Sequence, residues 1–319
     1  MVQIFLVGIG AGIAAAFLFA STVSGAMISI VLFYLAPLPI LIAALGWSHW
    51  AGLIAALVAA ARLAAVFSSY LFLAFLLGVG LPAWWLSYLA LLARPVASPA
   101  GNMIEWYPIG GLVVWTTILS SLIVVAVLLT IGTSEESVRS ELRKGIEFML
   151  RRQDAPFDVP NLPDYDRRIE MLVSVAPAAG AVSITFINLI SLWLAGRIVK
   201  VSNRLPRPWP DISQMAFPPV TPALLGLSAV GVLLPGLLGM ICGIFTASLA
   251  IAYAALGCAV VHAVTRGMNV RGLVLSAVYV AIVLIWPVLV LIALLGLADS
   301  FIDIRGWFAR MRGPPTIRS

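Results

Sequence analysis

Charge is what this sequence has least of. Asp, Glu, Lys and Arg together make up 10% of its 319 residues, where soluble domains carry about 25%. Apolar residues make up 62%, more than so few polar groups can screen from water. A water-soluble globule is therefore excluded, and a lipid environment, which solvates apolar faces directly, is required.

Other shortages exclude chemistry class by class. Two cysteines, Cys242 and Cys258, lie in apolar stretches without a CxxC spacing. They form no disulfide framework or thiolate zinc pattern and read as small packing residues. Two histidines, His49 and His262, are too few for a metal centre of their own. There is no HExxH sequence, no Ser-His-Asp set that reads as a triad, and no glycine-rich phosphate loop with Lys, so the chain is no ATPase by itself. Gly8, Gly10 and Gly12 follow an apolar run, as in a dinucleotide fingerprint. However, Ile13 stands where the third glycine belongs, and no acid that could hold a ribose occurs before Glu105. Gly8 with Gly12, and Ala11 with Ala15, make a small-xxx-small packing face instead. Asp166 and Asp299 sit at the edges of apolar runs, whereas a catalytic aspartate pair needs two carboxylates facing each other. The chain is expected to be no enzyme, with no catalytic residue, metal or cofactor.

The net charge is +6, but the basic residues fall in loops and tails rather than in a groove interleaved with aromatics. They set membrane topology and meet anionic headgroups, and no nucleic acid is expected as a partner. Met1 to Phe19 holds no Lys or Arg, which a secretory signal would carry, so the first apolar run reads as a retained span.

Long apolar runs are what the chain has in abundance. A span needs about 20 such residues. Candidates are 3–20, 26–45, 51–67, 70–93, 107–131, 171–198, 219–238, 240–264 and 273–297. The total is eight or nine, depending on whether 26–45, interrupted by Pro37 and Pro39, crosses fully. Trp47, His49 and Trp50 read as an interfacial belt, and Trp286-Pro287 as a kink in the last span. The fold class is all-α, a polytopic transmembrane helical bundle with one cytoplasmic amphipathic helix. Its parts are an N-terminal membrane bundle (1–131), a cytoplasmic amphipathic helix with a Pro-rich tether (132–170), a C-terminal membrane bundle (171–298) and a basic tail (299–319).

Orientation follows the Lys and Arg residues. Residues 132–168 hold seven: Arg139, Arg143, Lys144, Arg151, Arg152, Arg167 and Arg168. Four spans later the tail holds Arg305, Arg310, Arg312 and Arg318. Both regions are expected to be cytoplasmic, in a bacterial inner membrane. The discordant segment holds Arg197, Lys200, Arg204 and Arg207 among prolines 206, 208 and 210. This topology puts it outside, unless a neighbouring segment fails to cross.

Within 132–168, Thr133 as N-cap with Glu136 three residues on fits a capping box. Val138, Leu142, Ile146, Met149 and Leu150 fall on one helical face, and Glu135 to Arg139 and Glu147 to Arg151 are favourable i,i+4 pairs. The segment predicts a membrane-surface helix, apolar along Val138, Leu142, Ile146 and Met149 and basic at Arg139, Arg143 and Lys144. Pro156 to Asp164 reads as an extended tether. Polar residues inside spans are candidates for ligand binding: Arg62, Asn188, Tyr253 and His262. Arg62 can also snorkel to the interface, and Asn188 can also bond a neighbouring helix. Asp299, Asp303 and Arg305 read as a structural device at the membrane edge, pairing with basic side chains such as Arg167 or Arg168.

Two stretches carry a family resemblance. Leu35-Ala36-Pro37-Leu38-Pro39-Ile40-Leu41, followed by Ala44-Leu45-Gly46-Trp47 and Gly52, resembles the second-to-third-span region of the YybS-like predicted membrane proteins. Gly257-Cys258-Ala259-Val260-Val261-His262 and Leu295-Gly296-Leu297-Ala298-Asp299-Ser300-Phe301-Ile302-Asp303-Ile304-Arg305 resemble that family's C-terminal region. The family is in turn similar to the substrate-binding components of energy-coupling-factor transporters. Those are six-span proteins that bind a vitamin or metal ion and dock on a membrane coupling subunit through a first-span AxxxA motif. Ala11 and Ala15 are similar to that motif, while the two or three additional spans here depart from the pattern. The resemblance implies an integral membrane protein that binds or transports a small molecule. The alternative is an assembly factor or scaffold that docks partner proteins through the cytoplasmic helix and tail.

Overall fold

The computed structural model describes the chain apart from residues 25–26, 68, 99–100, 153–163 and 312–319. The helices are α1 (Val2–Ala20), α2 (Met27–Tyr34), α3 (Pro37–Gly46), α4 (His49–Val66), α5 (Ser69–Phe75), α6 (Leu81–Leu91) and α7 (Ile109–Ile131). They continue with α8 (Glu135–Arg152), α9 (Tyr165–Val201), α10 (Thr221–Gly231), α11 (Gly236–Val264), α12 (Arg271–Leu284), α13 (Trp286–Ile302) and α14 (Ile304–Met311). Among the described residues, seven helical segments are long and apolar enough to cross a bilayer. The fold is a polytopic helical membrane bundle.

The small residues of the first half act as contact points. A Cβ on Gly8 would lie 2.8 Å from the Ile54 side chain, and one on Gly12 would lie 2.6 Å from the Ala55 carbonyl oxygen. α1 and α4 therefore approach backbone to backbone, as the small-xxx-small spacing predicts. The run 26–45 divides at Leu35-Ala36. Pro37 and Pro39 lack the N–H groups that α2 would need to continue, and Pro37 takes the first position of a new helix, where none is required. The whole of Ile28–Gly46 is nevertheless long enough to cross. α5 and α6 join through a wide π turn at Leu76–Gly80. Between the expected spans 70–93 and 107–131 the chain forms a hairpin of β1 (Ala93–Ser98) and β2 (Gly101–Trp106). Arg94 faces Glu105 across the pair and bonds it at 2.7 Å. The bundle thus carries one small element of sheet.

α8 is present as expected, with its cap moved by one residue. Ser134 accepts from the Ser137 backbone N–H at 3.2 Å, and the Ser137 hydroxyl accepts from the Ser134 backbone N–H at 3.2 Å. The reciprocal box therefore runs from Ser134 to Ser137, not from Thr133 to Glu136. Val138 is fully buried in a layer with Val124, Leu128, Ala181 and Ile244, and Leu142 packs on it. The apolar face thus docks on α7, α9 and α11, while Met149 stays exposed. Glu135 pairs with Arg139 at 2.7 Å, and Glu147 pairs backwards with Arg143 at 2.9 Å. The Arg151 side chain and the tether Pro156 to Pro163 lie outside the described residues. Arg139 also reaches Glu170 at 2.8 Å, and Arg143 bonds Asp166, so α8 is tied to the first turns of α9.

α9 has 37 residues, about 55 Å at 1.5 Å per residue. That exceeds the ~30 Å of a hydrocarbon core and separates two ends of the molecule, here called the α8 end and the strap end. α10 is only 11 residues long and packs beside the first half of α11, Gly231 against Cys242. The run 273–297 is two helices rather than one kinked span. α12 ends at Leu284, and α13 starts at Trp286 with Pro287 in its first turn. α13 lies antiparallel on α11 in close contact: a Cβ on Gly257 would fall 1.9 Å from the Ile292 carbonyl oxygen, and one on Gly296 would fall 2.2 Å from that of Tyr253. Only glycine permits that approach.

Candidate functional site

The chain between α9 and α10 cannot form a continuous helix, and its one regular turn is a 3-10 turn at Ile212–Gln214. Asn203 turns the chain with φ 54, and Pro206, Pro208 and Pro210 each fix φ and remove a donor. The resulting strap is tied to the bundle at successive points. The Arg204 guanidinium lies 4.4 Å from the centre of the Trp47 ring. The Trp209 ring packs over Gly196 and carries Arg197 at 5.3 Å and Lys200 at 5.0 Å. Asp211 bonds Arg266, just beyond α11, at 2.6 Å. That guanidinium, helped by Ser213, holds the Asp211 carboxyl down at about 2. Arg305 then donates to the Ser213 and Met215 carbonyls at 3.0 and 2.8 Å. Phe217 meets Tyr253 edge-on at 5.3 Å. Arg266 follows the end of α11 and Tyr253 is near its middle, so the strap descends into the bundle. α10 completes the descent toward the α8 end, so strap and half-helix together replace one span.

Beneath the strap is a cavity of about 310 Å³. Its wall is apolar: Leu112 and Val113 of α7, Leu189 and Leu192 of α9, Ala255 of α11, and Met215 of the strap. Arg207 is the one charged residue that lines it. Arg207 donates to the carbonyls of Ala90 at 3.0 Å and Tyr107 at 3.4 Å, while its Nε is buried with no partner. Burial lowers its pKa and no carboxylate opposes that shift. A guanidinium nevertheless stays protonated at neutral pH.

Next to this region, a polar layer crosses α7, α9 and α11. Val113, Leu189 and Tyr253 pack on its strap side, and Val124, Ala181 and Ile244 on its α8 side. Thr116 and Thr117 bond back to their own helix at 2.8 and 2.7 Å, as polar residues in spans commonly do. Asn188 donates to Ser120 across the helix interface at 3.5 Å. The hydroxyls of Ser121, Thr185 and Ser248 are buried without protein partners.

The residues singled out from sequence are dispersed. Arg62 is exposed on α4, Asn188 is in the polar layer, and Tyr253 is buried against Phe217. His262 meets the Tyr279 hydroxyl at 2.9 Å, linking α11 to α12. None of the four lines the strap cavity. Asp299 is 5% exposed and accepts from the Arg305 side chain at 2.7 Å and from its backbone N–H at 3.1 Å. Its partner is therefore six residues away, not Arg167 or Arg168. The pair grips the strap instead of the 132–168 region. Asp303 adopts φ 49 and accepts from the Gly306 N–H at 3.0 Å, capping the turn into α14.

Sequence reasoning did not place Arg207, Trp209 and Met215 together. The available signal was the discordance of a basic, proline-rich segment with the expected topology. A family model described as a predicted membrane protein, DUF2232, matches residues 13–300. No curated protein and no solved structure matches the chain.

Proposed function

The chain belongs to the DUF2232 family of predicted membrane proteins, and on that premise we propose that it binds a small molecule in the strap-roofed cavity, for carriage or transport. The observation behind this reading is the replacement of one span by a half-helix and a largely irregular strap, the strap lining an apolar cavity. Irregular backbone at membrane depth is tolerated where it is buried in protein or lines a cavity, and interrupted spans mark the binding sites of many transporters. The reading includes no catalytic step.

The resemblance of the sequence to energy-coupling-factor binding components would add a membrane coupling subunit as partner. Of the Ala11 and Ala15 pair, Ala15 is buried within the bundle, so a coupling subunit would meet the outward face of α1 at residues such as Leu6 and Phe17. In this reading the protein sits in a bacterial inner membrane, with α8 and the tail on the cytoplasmic side. The scaffold reading draws on less, because Val138 and Leu142 are spent on the protein's own core. The test is native mass spectrometry of protein purified in mild detergent. A retained small molecule, lost in Ala255→Phe, supports binding. A stable multiprotein complex with an empty cavity supports the scaffold.

A further inference from the structure

Resting on the cavity reading above, we infer that the ligand is an anionic amphiphile: a carboxylate or phosphate group held at Arg207, carrying a single apolar chain that fills the space beneath the strap. The cavity wall sets the chain. Apart from Arg207, its side chains offer almost nothing but hydrocarbon and indole surface, so an occupant gains by burying apolar area there. Its volume of about 310 Å³ is at the low end of small-molecule sites, which run from roughly 300 to 1,000 Å³. That suits one chain better than the two of a bilayer phospholipid.

Arg207 sets the head. A guanidinium has five N–H donors in a planar fork. Two of them go to the Ala90 and Tyr107 carbonyls, and Nε is buried and unpaired. No described carboxylate forms an ion pair with Arg207. Carboxylates and phosphates are the groups that match such a fork. The neighbouring charges have the same sign. Arg197 and Lys200 rest on Trp209 and Arg204 on Trp47, and none of the three pairs with an acid among the described residues. Asp211, the nearby acid on the strap, is occupied by Arg266. The mouth of the cavity is therefore a positive field that nothing on the strap neutralises. A neutral amphiphile could accept from Nε but would leave the cation unneutralised, a cationic one would be repelled, and a bare inorganic anion would leave the apolar space unfilled.

The test uses the full chain in phosphatidylcholine nanodiscs with four probes: dodecanoate, dodecyl phosphate, dodecanol and inorganic phosphate. At least one of the two anionic amphiphiles should bind with one-to-one stoichiometry, about tenfold or more tighter than dodecanol, and inorganic phosphate should bind weakest. Whether the carboxylate or the phosphate wins identifies the head. Arg207→Gln should remove that advantage and leave dodecanol unchanged, and Arg207→Lys should restore part of it. If dodecanol matches the anions and Arg207→Gln changes nothing, while Ala255→Phe abolishes binding, the inference about charge is overturned and the cavity reading stands. If Ala255→Phe leaves every probe bound as before, both fall. Should Arg207→Gln not fold, the wild-type protein decides the matter with a dodecanoate bearing a terminal diazirine. Labelling at Leu112, Leu189 or Ala255 supports the inference, and labelling confined to lipid-facing Leu122 or Phe186 overturns it.

Discussion

At the α8 end, Arg139 bonds Glu135 and Glu170, Arg143 bonds Glu147 and Asp166, and Lys144 bonds Glu141. At the strap end, Arg197 and Lys200 lie on Trp209, Arg204 lies on Trp47, and Arg207 is held by two backbone carbonyls. Both ends are basic and each has a cavity, of about 280 Å³ and about 310 Å³ respectively. The α8-end cavity is lined by an arginine, Arg139, whose charge is already met from within the chain. The strap-end cavity has an arginine whose charge is not. Cations matched internally fasten elements together. Cations held only by π faces and carbonyls keep their ion-pairing capacity for something else.

The largest effect should come from breaking the strap's deepest anchor. Arg305→Gln strands a buried carboxylate at Asp299, and one-sided removal of a buried pair costs about 3–5 kcal/mol. Thermal unfolding in detergent should show this loss, and adding Asp299→Asn should restore part of it. An equal loss from Arg143→Gln would erase the distinction between the ends. Arg207→Met should go the other way in the absence of ligand. It removes an unmatched cation from a half-buried site, so stability should hold or rise by up to about 1 kcal/mol, as at other sites where function costs stability. A marked destabilisation would mean that Arg207 is a fastener like those at the α8 end. Arg143→Gln itself should cost far less than Arg305→Gln, and the loss should shrink with added salt, because its pairs are exposed.

The smallest effect concerns pH. Asp211 is held at about 2 by Arg266 and Ser213, below its ordinary value. Its contribution is therefore present above the ordinary carboxylate range and is lost only as pH falls through about 2. The strap's attachment at Arg266 should not change between about pH 5 and 8. A strap whose protection from hydrogen exchange, corrected for the intrinsic pH dependence of amide exchange, fell across that range would contradict the assignment.

Much of the bundle could be read from the sequence because hydropathy and helical periodicity are local properties. The apolar runs, the break at Pro37, the Gly8 and Gly12 contact and the amphipathic α8 all follow from near neighbours along the chain. The features that were not legible depend on distant residues. Pro206 to Met215 has the charge and prolines of a solvated loop. Trp47, Ala90, Tyr107, Arg266 and Arg305, far apart in sequence, draw it against and into the bundle. The division between α12 and α13 was read as a kink, since a hydropathy average does not register the extended Ile285. The hairpin at Arg94 and Glu105 was hidden by Pro95, which sequence reasoning counts against a strand. The short pair from Asp299 to Arg305 was missed for the same reason: burial of Asp299 depends on the strap, which no local pattern announces.

If the strap enters the bundle, Met215 must be shielded from water while Pro206 is not, and cysteine accessibility separates the two. In a chain with Cys242 and Cys258 replaced by Ala, single cysteines at exposed Pro206 and at Met215, which is 4% exposed, are reacted with a water-soluble, membrane-impermeant thiol reagent. Pro206→Cys should label rapidly and Met215→Cys should stay protected until Arg305→Gln releases it. If Met215→Cys labels as fast as Pro206→Cys in the otherwise intact chain, the strap is a solvated outer loop and the cavity has no roof.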